Sequence, residues 1–228
     1  MKKMTNKGFT LIELLAVITI MGILMLVAIP AVTRTIENSR RDTFADVAGE
    51  YLTAVRNAVL ADEIECAYVN GSGATWTLAS ALPDGTYYFP ICTSASTTAC
   101  KEVSAAGTGV AKMTVAEVQA STTDLLESGG KSPFGNADVY GYVTWTKSAR
   151  AATSTTPLAS GTSADQKSQT VYKVFLQDTG KHGLNQEYES KELKRSVVMP
   201  AVTASGTQYT NKNVKSDANS GKNYCRVA

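Results

Sequence analysis

One acid stands where acids are scarce. From Phe9 to Val32 the chain is apolar except for two threonines and a single ionisable residue, Glu13. An apolar helix of about 20 residues crosses a hydrocarbon core of roughly 30 Å. A carboxylate inside such a span costs about 2.5 kcal/mol or more, so it calls for a partner and a purpose. The alternative is a glutamate near the helix end that snorkels to the interface. Elsewhere, catalytic chemistry has little to work with. The only histidine, His182, lies in a Gly-Lys-His-Gly turn and reads as a solvated loop residue. No phosphate loop, dinucleotide fingerprint or pair of catalytic carboxylates is present, and the sequence reads as a non-enzyme without cofactor or metal.

The element that positions Glu13 is long. Beyond Val32, Ile36, Phe44, Val47, Ala48, Tyr51, Leu52, Val55, Val59, Leu60 and Ile64 recur mostly at three- and four-residue steps. No proline occurs between Pro30 and Pro83, and Asn70-Gly71-Ser72-Gly73 is the first strong breaker. The pattern predicts one helix over about 9–69, roughly 90 Å long at 1.5 Å per residue. Its first half is apolar all round, and its second half has one apolar stripe to pack on a domain. Gly22 and Pro30 are weak points inside it, either a hinge or a mild kink. The head then offers Trp76–Leu82, a Pro83-Asp84-Gly85 turn and a strand at Tyr87–Phe89. A capping box at Thr114–Glu117 opens a short helix ending near Gly129-Gly130. Alternation predicts strands at Val139–Lys147 and Thr170–Gln177, separated by an exposed loop, Ser148–Ser168. A third strand is expected within Leu193–Val202, then a loop-like tail. The fold class is α+β, the second half of the helix packing on a small antiparallel sheet.

The start of the chain resembles a type IV pilin precursor. A short basic leader, Met1–Gly8, ends in glycine, and Phe9-Thr10-Leu11-Ile12-Glu13-Leu14-Leu15 follows, with Pro30 well inside the apolar run. The resemblance covers about the first 30 residues. It implies cleavage between Gly8 and Phe9 by a prepilin peptidase, N-methylation of Phe9, and retention of the apolar helix. An ordinary secretory signal would be cut after the apolar region, near Ala28–Val32, and would leave Glu13 unexplained. Cleavage would give Phe9 a free α-amino group with a pKa of about 8. The resemblance implies that Glu13 pairs with this amine as subunits join, which fixes register in a bundle of otherwise featureless helices. It also implies a leader at 1–8, a membrane and filament-core helix at 9–33 and a head at 34–228. The implied partners are other pilin subunits, the peptidase, an inner-membrane assembly platform and the membrane. The implied destination is a pilus on the cell surface. A pseudopilin of a type II secretion or DNA-uptake system shares this start, and a membrane-tethered adhesin that never polymerises is the alternative outside the class.

Charge and cysteines complete the reading. Net charge is +2, and removing the leader's Lys2, Lys3 and Lys7 gives −1, so nothing in composition points to nucleic acid. Cys66, Cys92, Cys100 and Cys225 permit three disulfide connectivities outside the cytoplasm. Cys92–Cys100 would close a short loop, and Cys66–Cys225 would tie the C-terminus to the helix, as C-terminal disulfides do in many pilins. A zinc site built from these thiolates, with or without His182, is the competing idea, weakened by the lack of a Cys-x-x-Cys pair.

Overall fold

A computed structural model describes residues 10–70, 73–94, 100, 113–126, 130–148, 169–180, 182–199 and 223–228. Helix α1 runs from Leu11 to Ala61. The chain divides into two compact units, 1–40 and 41–228.

In the first unit the helix is uncovered. Leu11, Ile23, Leu26 and Val27 are among many large apolar side chains that remain exposed. This is the one helix among the described residues long and apolar enough to cross a membrane. Its hydroxyls are internally satisfied: Thr19, Thr33 and Thr35 donate to the carbonyls of Ala16, Ile29 and Ala31 at 2.9, 2.6 and 3.0 Å. Such back-bonding hides a polar group that would be costly to leave bare in hydrocarbon. The helix continues through Gly22 and Pro30 without a break.

In the second unit α1 becomes amphipathic, as the three- and four-residue spacing predicts. Phe44, Ala45, Ala48, Tyr51, Leu52, Val55 and Ala58 are buried. Each of the larger side chains contributes about 1.5–3 kcal/mol by burial. They pack on a sheet of eight strands: β1 (Ile64–Asn70), β2 (Gly73–Leu78), β3 (Gly85–Cys92), β4 (Val139–Ser148), β5 (Gln169–Asp178), β6 (Gly183–Leu184), β7 (Val198–Met199) and β8 (Asn223–Val227). The order across the sheet is β2-β1-β8-β3-β4-β5-β6-β7. All pairs are antiparallel except β3 with β8, which is parallel. Because side chains alternate across a strand, Ile64 and Cys66, Tyr87 and Phe89, Val143 and Trp145, and Val174 and Leu176 join α1 in one core. A second helix, α2 (Val115–Leu125), contributes to a second cluster of buried residues. Its Val118 packs with Ala67, Cys92 and Tyr224.

Helix α2 begins at the expected capping box. Thr114 Oγ1 accepts from the Glu117 amide at 3.2 Å, and a Glu117 carboxylate oxygen takes the Thr114 amide at 2.7 Å. These bonds, backed by Arg226, hold the Glu117 carboxyl below its ordinary pKa. Arg226 also reaches Glu65 and lies 4.4 Å from the centroid of Trp76, so the last strand is fixed from both sides.

Two expectations are corrected, and a third is met by a short strand. The helix stops at Ala61, not near Val69, and Ile64–Asn70 is a strand. The sheet is larger than expected and not purely antiparallel. The strand expected within Leu193–Val202 is present as β7, two residues long, after 3-10 turns at Ser190–Glu192 and Arg195–Val197.

The early helix end has a local cause. Asp62 adopts a left-handed conformation with φ of 59°. The Glu63 amide then donates to Ala58 O at 2.9 Å and the Asp62 amide to Val59 O at 3.3 Å, a Schellman ending. The Asp62 carboxylate in turn accepts from the Ser80 amide at 2.7 Å and hydroxyl at 2.8 Å. Asp62→Ala would strain the backbone and free the Ser80 donors, so we expect a loss of about 1–2 kcal/mol in denaturant unfolding. Asp62→Gly should lose less, because glycine accepts the positive φ. Equal stability of Asp62→Ala and the unsubstituted protein would refute this account.

Candidate functional site

The first turn of α1 carries a second capping box. Thr10 precedes the helix, and its hydroxyl lies 3.4 Å from the Glu13 amide. Glu13 Oε2 accepts from the Thr10 amide and from the Thr10 hydroxyl, each at 2.9 Å. The Thr10 carbonyl meanwhile receives the amides of Glu13 at 3.1 Å and Leu14 at 3.3 Å. The Thr-x-x-Glu spacing therefore satisfies orphan donors at the helix start. A carboxylate is also favoured at this end, where the helix dipole is positive.

Both bonds that the Glu13 side chain accepts fall on one oxygen. Oε1 has no partner among the described residues. The carboxylate is thus fixed in orientation by its own helix and keeps an open acceptor at the helix tip. It can receive a cation delivered there, and a planar carboxylate so held is a good acceptor for an ammonium group. Gly8 and Phe9 lie outside the described residues. Gly22 has open space around it: a Cβ added there would meet nothing within 4 Å. Pro30 supplies no amide, so the Leu26 carbonyl loses the helical donor it would otherwise have.

The four cysteines form Cys66–Cys225 and Cys92–Cys100, and none is free. All four sulfurs are consumed, which removes the thiolates a zinc site would need. Cys66 sits on β1, not on the helix, so its bridge joins two neighbouring strands at paired positions.

His182 departs from expectation. It is not a solvated turn residue: its ring stacks on Phe134 at 3.9 Å with an interplanar angle of 1°. Its amide donates to Asp178 Oδ1 at 2.8 Å, and Nδ1 lies 3.2 Å from Asp178 Oδ2. Ser132 Oγ donates to the same Asp178 Oδ2 at 2.7 Å. Serine, aspartate and histidine come together, yet the serine bonds the carboxylate and not the imidazole. A nucleophile needs the base on its own hydroxyl, and Ser132 is also buried at 1% exposure. The cluster braces the β5–β6 turn to the Ser132–Phe134 loop, whose Phe134 packs on Phe44 of α1. Asp178 was invisible as a hub in the sequence, where Asp178-Thr179-Gly180 reads only as a turn.

Residues 3–29 match the family model for the prokaryotic N-terminal methylation motif, the type IV prepilin-like leader. The match covers the beginning of the chain alone. No curated protein and no solved structure was found to match it. The motif supports a type IV pilin-like or pseudopilin protein. It implies processing by a prepilin peptidase and association with other pilin-type subunits.

Proposed function

We propose that this chain is a structural subunit of a type IV pilus, held in the membrane by its apolar helix and polymerising through that helix after leader cleavage. The observation that carries this reading is the Glu13 carboxylate, oriented at the tip of an uncovered apolar helix with one oxygen unengaged. Cleavage between Gly8 and Phe9 creates a cation, the Phe9 α-amine, which N-methylation leaves charged. Within a bundle of such helices a lone carboxylate is costly, and a neighbour's amine relieves the cost while fixing the register. Leader removal is then the step that makes assembly possible. Gly22 and Pro30 are where the helix can yield during packing, because one has poor helix propensity and the other removes a backbone bond. The peptidase and an inner-membrane platform act before assembly, and the head is displayed at the cell surface.

N-terminal sequencing of the mature protein, together with its recovery from sheared surface material, tests the proposal. The expected result is a chain beginning at methylated Phe9 and present in filaments. A start near Ala31 or later would mean a conventional signal peptide. A correct Phe9 start with no filament outside the cell would favour a pseudopilin, which shares the motif.

A further inference from the structure

Beside the core stripe of α1, to which the buried Ala45 belongs, Asp46, Glu50 and Thr53 are exposed. Ala45, Asp46, Gly49, Glu50 and Thr53 form the floor of a groove of about 580 Å³, walled in part by Leu126 and Leu193. The small residues keep the floor low: a Cβ added at Gly49 would already lie 3.7 Å from Leu193 Cδ1. Asp46 and Glu50 are exposed one turn apart on the same helix face. They make no ion pair among the described residues. Like charges at this spacing repel each other. Earlier on the helix, Arg34 and Arg40 are exposed and also make no ion pair among the described residues. A cation carried just beyond an apolar run would be desolvated by bundling, and it then needs an acid to face.

We propose that this groove seats the 34–40 segment of a second copy of the chain, which carries two arginines and one acid, Glu37, with Arg34 or Arg40 facing Asp46 and Glu50. The inference rests on the filament reading above and identifies the partner surface of the head. Parallel copies staggered along their helices bring the basic segment of one beside the acidic stripe of the next. The complementarity is directional, since Arg34 and Arg40 precede Asp46 and Glu50 in every copy; Glu37 and Asp42, the acids between them, already have partners, Asp42 with Arg195. Stagger is therefore favoured over side-by-side alignment, which would set like against like.

The test is charge reversal and its compensation, made in the full chain in its native host. Asp46→Arg with Glu50→Arg is expected to lower filament yield at least about tenfold, because like charges across an interface cost several kcal/mol. Membrane level, leader cleavage and disulfide formation should not change. Arg34→Glu with Arg40→Glu should fail in the same way, and the variant carrying all four changes should regain most of the yield. The neutral pair Asp46→Asn with Glu50→Gln guards against misfolding of the reversed head, and its yield should be intermediate. Wild-type yield from the neutral and reversed variants would overturn the proposal. So would a four-fold variant as defective as either double, which would assign the groove to a different protein. Absence of the unsubstituted chain from filaments would instead overturn the filament reading itself.

Discussion

Glu13→Val is expected to leave the chain in the membrane, cleaved after Gly8, and almost absent from filaments. In the membrane the change is favourable, since it replaces a carboxylate by an apolar side chain. The loss appears when the helices bundle. There the Phe9 amine of each subunit would be desolvated with no acid to meet, and leaving one member of a buried ion pair unpaired costs about 3–5 kcal/mol. At about 1.4 kcal/mol per tenfold, that corresponds to a drop of at least roughly a hundredfold in partition from membrane to filament. The capping box makes a second variant informative. Glu13→Gln keeps an oxygen for the Thr10 amide and hydroxyl but carries no charge. If the ion pair matters, Gln assembles as poorly as Val; if only the helix cap matters, Gln assembles normally. Quantifying cleaved subunit in membranes and in sheared filaments distinguishes these outcomes. A Glu13→Gln variant with wild-type yield would sink the amine-pair account.

The first half of α1 was legible because its signal is both local and strong. An unbroken apolar run and one acid are readable without any tertiary information. The helix end was not. Ile64, Cys66 and Tyr68 alternate as a strand should, yet Ile64 also continues the three- and four-residue rhythm of the helix. The residue that stops the helix is Asp62 at φ of 59°, where glycine is the usual signal. The Thr10–Glu13 cap shares the Thr-x-x-Glu spacing of Thr114–Glu117. It is easily passed over because Glu13 already has a more conspicuous reading as a misplaced charge. His182 looked solvated because its turn is rich in glycine. What holds it, Asp178 and Phe134, comes from β5 and from a loop more than forty residues earlier. The place of β8 could not be read at all, since nothing within Asn223–Val227 says that it lies between β1 and β3.

That placement gives Cys225 a large expected effect on the head. Strand β8 pairs with β1 on one side and β3 on the other, and in the sheet the β1–β2 hairpin reaches β3 only through it. The Cys66–Cys225 bridge holds this junction shut, and 159 residues separate its ends. In the chain-entropy description a loop of that length stabilises by about 5 kcal/mol, against about 2.5 kcal/mol for a loop closed over 8 residues. The Cys92–Cys100 bridge has that shorter separation. It ties β3 to the chain just beyond it and bears no sheet junction. Cys225→Ser is therefore expected to destabilise the detergent-solubilised protein by about 2.5 kcal/mol more than Cys92→Ser in thermal or denaturant unfolding. The weak side of the sheet should also be specific. Protease cutting in the Cys225→Ser protein should begin around β1 and β2, while β4 and β5, paired along ten residues, stay protected. Equal destabilisation by the two substitutions, or first cleavage within β4–β5, would mean that β8 is not the closure of the sheet and that other contacts hold the hairpin in place.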